Sequence, residues 1–418
     1  MFKFFKTFSI LCISTVVLHA QETDITLESM LLETVKNNPA ILSKQNSANS
    51  AKHLQESSKW QYFPTPIASY SRQSGGVNSY TLGLQQPLFA GGKIDAQYAK
   101  SKLQVSINQM SADELKQSIA IQVVNAYNSL LSSHGKILIY QDEIERLQKQ
   151  KEMIYRRIEQ GISSQSDSLL VESRMAQTKA DLSVTEVTQE KALAQLSQFV
   201  ARKIILENMR DSLPEKSCSI NIASLYQDSE LIEKAIKNSP SIHRIDYQIK
   251  ALEEDVKIKE SAFYPNIAAK FEKTYSNQYG STVNNSTATI AIDVNPGAGL
   301  SSFSNFQSAK VDVIGAKYDK QAYLLEYTQI LQSEISDYEL TYKRYDNYML
   351  AAEGAEKTLR SYERLFVAGK KSWLEVLNSE KEWTNTLLSL NDAQAYLFVT
   401  PTKLKIYANE MDWQRKIQ

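Results

Sequence analysis

The amino-acid sequence predicts a mainly α-helical chain built from two copies of a helix–β-hairpin–helix unit. Three observations carry this expectation. One stretch recurs at a fixed offset, two long proline-free segments have equal length, and short alternating segments sit between them.

The duplication is the firmest of the three. LLETVKNNPAI, from residue 31, runs on to WQYFPTPIASY, and LIEKAIKNSPSI, from residue 231, runs on to SAFYPNIAAKF. Pro39 to Pro64 spans 25 residues, as does Pro240 to Pro265, and Lys36, Asn37 and Ile41 match Lys237, Asn238 and Ile242 at one offset of 201.

After each second proline the pattern changes to period two, which places side chains on opposite faces of a strand. Tyr80, Leu82 and Leu84 alternate with Thr81, Gly83 and Gln85 behind the turn Ser74 to Asn78. In the second copy Ile267, Ala269 and Phe271 lead to a loop around Gly280, Asn284 and Asn285, after which Ile290, Ile292 and Val294 alternate with polar or small neighbours. The expected strands are about 64–74, 79–89, 265–276 and 286–295. Segments near ten residues suit tilted strands that cross a bilayer.

The segments 93–160 and 301–368 each hold 68 residues without proline. At about 1.5 Å per residue such a helix is roughly 100 Å long. Val124, Tyr127, Leu131 and Leu138, and Leu331, Ile335, Tyr338, Tyr342 and Tyr345, recur at coiled-coil steps, so both helices should pack along their length. Turns at Gly161 and Gly369 then start return helices over 166–203 and 372–400. Before the long helices, Pro87 can end a strand because it donates nothing to a ladder, and Gly91-Gly92 permits a sharp turn. The second copy spreads this hinge over Pro296, Gly297 and Gly299.

Residues 1–20 have the length and charge order of a secretory leader, with Lys3 and Lys6 before an apolar core. The expected order is a leader over 1–20, a first unit over 21–203, a linker over 204–228, a second unit over 229–400 and a C-terminal segment over 401–418. Without the leader, 45 basic residues face 47 acidic ones, so no basic excess points to nucleic acid. Cys218 is then the one cysteine, so no internal disulfide is expected, and the four histidines lack metal-ligand spacing. No phosphate loop, nucleophile elbow or cofactor signature is visible, which argues against an enzyme. No apolar run after the leader is long enough for a membrane helix, so any membrane passage must use strands. Four strands cannot close around a lumen, and helices this long outreach any single globular core. Both facts call for partner chains.

YTLGLQQPLFAGGKIDAQYAK (80–100) resembles the signature of the TolC-like outer-membrane efflux family, in which a strand ends in Pro-Leu-Phe, a Gly-Gly turn follows and a helix opens. The paired Asn-Asn-Pro and Asn-Ser-Pro elements and the tips IEQGISSQSDSLL and FVAGKKSWLEVLNSE are similar as well. PGAGLSS (296–302) resembles a branch serving type I secretion.

The resemblance covers nearly the whole chain after the leader. It implies a homotrimer with twelve pooled strands in outer-membrane lipid, a long periplasmic helical barrel, a periplasmic adaptor (a membrane fusion protein) and an inner-membrane RND or ABC pump. Counting from Gly369, it implies a lumen constriction at Glu375 and Asn378 and a latch of Lys371 and Phe366, with Asp167 as the acidic partner counted from Gly161. The latch is expected as an Asp167–Lys371 salt bridge, and the turns at Gly161 and Gly369 would meet the adaptor. An asparagine at 378 halves the acidic charge of the constriction, and Phe366 lacks a hydroxyl to bond. The rival expectation is a periplasmic coiled-coil adaptor or rod, which shares the long helices but has no use for alternating hairpins.

Overall fold

The computed structural model describes residues 26–72, 78–207, 228–278, 281–295 and 297–415. The leader, most of the expected linker, the turn at 73–77 and Pro296 lie outside the described residues.

Each copy opens with a short helix and a second helix begun by proline: α1 (Leu27–Asn37) and α2 (Pro39–Trp60), then α5 (Asp228–Asn238) and α6 (Pro240–Glu260). The residue before each proline is forced into extended backbone. Asn38 and Ser239 therefore become N-caps, accepting from Ala40 N at 3.0 Å and Ile242 N at 3.5 Å. Proline at the first helical position loses no bond that the helix needs. The repeated proline motif is thus a repeated helix start.

The hairpins are β1 (Thr65–Arg72) with β2 (Asn78–Phe89), and β3 (Asn266–Gln278) with β4 (Ser281–Asp293). They form one antiparallel sheet in the order β1-β2-β3-β4, so the second strand of the first copy pairs with the first strand of the second. The register is continuous except for an irregularity between Pro87 and Phe89, where proline interrupts the ladder. Of the expected loop around Gly280, Asn284 and Asn285, Gly280 lies outside the described residues and the two asparagines are instead strand, paired with Tyr275 and Thr274. Their polar side chains hid a ladder that backbone pairing sustains almost to the turn.

The long helices are α3 (Lys93–Glu159) and α7 (Ser301–Val367), each 67 residues, returning through α4 (Gln165–Val200) and α8 (Trp373–Tyr407); α9 (Asp412–Arg415) ends the described chain. Helix α8 runs past its expected end at 400 and carries Pro401 inside it. Leu404, Ile406 and Ala408 are buried beyond the proline, and this packing holds the helix that local chemistry would stop.

Midway along α3 lies the largest apolar core, where Val123, Val124, Tyr127 and Leu130 meet Met30, Leu31, Ile41, Leu196 and Val399. A second core near the helix ends joins Leu147, Ile154 and Val171 to Leu359, Phe366, Trp373 and Val376. The expected seam residue Leu138 is 54% exposed, and its neighbour Ile137 takes the buried position. A strict seven-residue step drifts round a 3.6-residue helix, and here the drift has moved the seam by one residue. Leu331, Ile335 and Tyr338 do lie buried on α7, and Tyr342 and Tyr345 pack against the cluster that holds Ile335 and Tyr338.

Candidate functional site

The sheet has two unlike faces. The register sets Leu84 beside Pro66, Phe271 and Ala288, and Leu82 beside Ala68, Lys273 and Ser286. Tyr80 lies between Tyr70 and Tyr275, and the Tyr70 and Tyr80 rings are 5.0 Å apart. Side chains alternate, so the opposite face carries Thr81 with Ser69, Thr274 and Asn285, and Gln85 with Thr65, Lys270 and Thr289. Thr81 and Thr274 bond across the ladder at 3.1 Å. From Ile267 to Tyr275 the apolar face is about 27 Å long along the strand, close to the ~25 Å band of membrane barrels before tilt, with a tyrosine row at one border. Lys273 keeps its ammonium 5.3 Å from the Tyr275 ring, the way a long cation on an apolar face reaches toward water.

At the strand-to-helix hinges, Gly91 and Gly92 have φ of 59° and 79°. The second hinge uses Gly297, Gly299 and Leu300, at 78°, 57° and 63°. Leu300 is the non-glycine in this left-handed set, where a Cβ is strained. Pro296, also expected in the hinge, lies outside the described residues.

The far ends of the helices repeat one design. Gly161 and Gly369 have φ of 71° and 72°. Ile162 N donates to Arg157 O and Lys370 N to Leu365 O, both at 2.8 Å, closing each helix as a left-handed glycine allows. Three residues on, Ser164 and Ser372 cap the return helices in reciprocal boxes with Asp167 and Glu375. The spacing Ser-x-x-Asp or Ser-x-x-Glu is a capping signal readable in sequence, and it gives Asp167 and Glu375 a structural duty that counting from the glycines missed.

That duty rearranges the expected latch. Asp167 accepts from Ser164 N at 3.1 Å, while Lys371 Nζ reaches Glu375 at 2.6 Å. The Asp167–Lys371 pair is therefore not formed within the chain. Each carboxylate is held by donors in its own turn, nearer than the other hairpin and aided by the helix dipole. Lys371 and the Ser372 amide hold the Glu375 carboxyl down at about 2. Asn378 is exposed one turn along α8 from Glu375. Phe366 is buried against Trp373, ring centres 5.2 Å apart, and the Arg157 guanidinium of α3 lies 4.8 Å over its face. A cation over an aromatic ring thus joins the hairpins where a salt bridge was expected.

Sequence reasoning also missed a buried charged group further from the tip: Arg146 Nε donates to Glu380 at 2.6 Å, and Glu380 has no exposed surface. The partners are 234 residues apart, and no local pattern joins them.

A sheet with one apolar and one polar face, carried on two helices of about 100 Å that are each packed by shorter ones, defines a strand-built membrane duct with a long extramembrane stem. The chain belongs to the outer membrane efflux protein family, whose profile matches residues 34–202 and 231–402. It is similar to the alkaline protease secretion protein AprF of Pseudomonas aeruginosa, 18% identical over 340 residues that cover 79% of this chain and 69% of AprF. Among solved structures, the outer-membrane channel OprN superposes with a TM-score of 0.73 at 17% identity, covering 93% of this chain and 90% of OprN. The outer membrane protein VceC of Vibrio cholerae gives 0.76 at 15% identity, covering 91% and 95%. The CmeC outer membrane channel of Campylobacter jejuni gives 0.77 at 12% identity, covering 91% and 85%. These likenesses establish the shared fold. Family membership makes the chain an outer-membrane exit duct, with strands in the membrane and the helical stem in the periplasm. It leaves no place for the rival reading as a periplasmic adaptor.

Proposed function

We propose that three copies pool their sheets into a twelve-strand barrel, and that their α3/α4 and α7/α8 hairpins form a periplasmic tunnel ending at the glycine turns 161 and 369. The observation that carries this is the four-strand sheet, apolar on one face and polar on the other, with β1 and β4 as unpaired edges within the chain. Hydrocarbon does not tolerate open edges, and β4 of one copy can pair with β1 of the next. The apolar face meets outer-membrane lipid and the polar face lines the lumen. Glu375 and Asn378 narrow the periplasmic end, and Lys371, Phe366 and Arg157 set how tightly the hairpins close there. The turns at Gly161 and Gly369 meet a periplasmic adaptor, which links the duct to an inner-membrane RND or ABC pump that selects the cargo and supplies the energy.

A type I secretion pump is favoured by two observations, the similarity to a protease secretion protein and the PGAGLSS hinge. Native mass measurement of the protein extracted from outer membranes tests the stoichiometry. A trimer that conducts ions in planar bilayers is expected, and a stable dimer or a non-conducting monomer would overturn it. Crosslinking in cells that carry both kinds of pump would show which one copurifies.

A further inference from the structure

Between the two apolar cores, the seam where α3 meets α8 turns polar. Glu143, Arg146 and Gln150 of α3 face Glu380 and Thr384 of α8, with Arg174 and Thr178 reaching in from α4 and Glu363 from α7. Glu143 is 3% exposed, Glu380 is fully buried and Thr384 is 3% exposed. Arg146 spreads over this layer, bonding Glu380 through Nε and its own-helix neighbour Asp142 through Nη1, and lying 4.3 Å over the Trp383 ring. Gln150 Nε2 donates to Glu380 at 3.2 Å and to Glu363 at 3.1 Å.

Arg146 Nε and Gln150 Nε2 both donate to Glu380, so the layer's guanidinium contact goes to Glu380. Arg146 Nη2, Gln150 Oε1 and Thr384 Oγ1 are buried without a partner within hydrogen-bonding geometry. Gln150 Oε1 can only accept and the Thr384 hydroxyl can donate or accept, whereas the ionised carboxylates of Glu143 and Glu380 are acceptors only. Two carboxylates share a site whose bound guanidinium already serves Glu380 and Asp142. Like charges buried together cannot both ionise cheaply. One proton would make a carboxylate a donor and remove a buried charge.

We propose that Glu143 is a proton-binding site, and that the bound proton holds the α3/α4 hairpin against the α7/α8 hairpin while its loss lets them part. Burial first, and then the Glu380 charge, raise Glu143 to about 7, against the pull of Thr178 and Arg174. Burial likewise raises Glu380, but Arg146 Nε bonds that carboxylate at 2.6 Å and favours its charged form, so the proton goes to Glu143. Once the seam opens to water, Glu143 returns to the ordinary value of 4.5. The packed arrangement therefore binds the proton more tightly than the parted one. Its advantage is complete below 4.5, falls about tenfold per pH unit up to about 7, and is spent above that. The packed and parted hairpins are two states of the chain itself, so the site does not depend on the number of copies in the duct.

The test uses the full-length mature protein in lipid nanodiscs. Infrared difference spectra should show a protonated-carboxyl band that titrates with a midpoint near 7 and vanishes in Glu143→Gln. Spin labels at Gln148→Cys on α3 and Lys381→Cys on α8, in a Cys218→Ser background, report the seam. Their separation should lengthen from about pH 5 to about pH 8 in the wild type and stay short throughout in Glu143→Gln, which imitates the protonated form. A wild type without the band or the lengthening overturns the proposal, as does a Glu143→Gln variant that keeps the pH response. Glu380→Gln guards against a folding artefact. It should leave the band in place with its midpoint lowered, whereas loss of the band would put the proton on Glu380 and overturn the assignment to Glu143.

Discussion

Helices α3 and α7 hold corresponding places in the two copies and have the same length of 67 residues, yet twenty residues of α3 are buried against nine of α7. Helix α3 is packed by α2, α4, α6 and α8, whereas α7 is packed chiefly by α6 and α8. Its free side shows Phe303, Val311, Ile314, Tyr318, Leu325 and Leu350 to solvent. A row of large apolar side chains on one helix of a single chain marks a surface meant to be covered. Duplication supplied two equal rods. One became the axis of the chain, and the other became its boundary.

The contrast can be broken by truncation. Leu130→Ala on α3 should lower stability in chemical denaturation by about 2–5 kcal/mol, because the side chain is fully buried. Leu325→Ala on α7 should change the dissociated chain by less than about 0.5 kcal/mol, while Leu325→Glu should shift assembled duct toward single chains in size-exclusion light scattering. Equal effects at both positions would remove the distinction between axis and boundary.

The ion pairs differ in the same way. Arg146→Ala leaves Glu380 buried without its cation, a loss of about 3–5 kcal/mol. The sign with pH follows from the raised Glu380 carboxyl: acid neutralises it, so within the range below about 7 where the seam stays packed the deficit should shrink as the pH falls in the same unfolding experiment. Arg360→Ala on α7 removes an exposed partner of Glu356 and should change stability by less than about 0.5 kcal/mol throughout that range.

The hinges carry a smaller difference. A Cβ at Gly91 would meet Tyr264 Cβ at 2.7 Å and Ser261 O at 3.0 Å, whereas one at Gly299 meets nothing within 4 Å. Gly91→Ala should therefore cost about 2–3 kcal/mol from clash and backbone strain, and Gly299→Ala about 1 kcal/mol from backbone strain alone. Thermal unfolding of both variants measures the gap. Smallest in stability is Lys371→Glu, which replaces the cation beside Glu375 with a second carboxylate. Its expected effect is a raised open probability in single-channel recording, and unchanged gating would remove Lys371 from any role in closure.

What could be read from sequence was local. Asn38-Pro39 and Ser239-Pro240 announce helix starts, the glycine pairs announce turns, and alternation announces strands, because each rests on the chemistry of a few neighbouring residues. The seam slipped from Leu138 to Ile137 because periodicity fixes a face less sharply than packing does. Asn284 and Asn285 were hidden in β4 because a backbone ladder does not need apolar side chains. At the tip, Gly161 and Gly369 were legible, but the choice of Glu375 rather than Asp167 by Lys371 depended on which carboxylate the local cap had already drawn in. The Arg146–Glu380 pair had no sequence signal, since only the fold brings α3 and α8 together.

The pairing of β2 with β3 has a consequence for symmetry. Each chain already contains one boundary between a first and a second copy, joined covalently, and its outer edges β1 and β4 again belong to different copies. Any closed ring of such chains alternates the two kinds around its whole circumference. An ancestor with a single copy per chain would have had to make every position alike. Fusion halves the order of the rotation axis, and alternate positions are then free to diverge. Leu300 where the first copy has Gly92, and Arg157 reaching over a phenylalanine that has no reciprocal counterpart, are differences that a ring of identical single units could never hold.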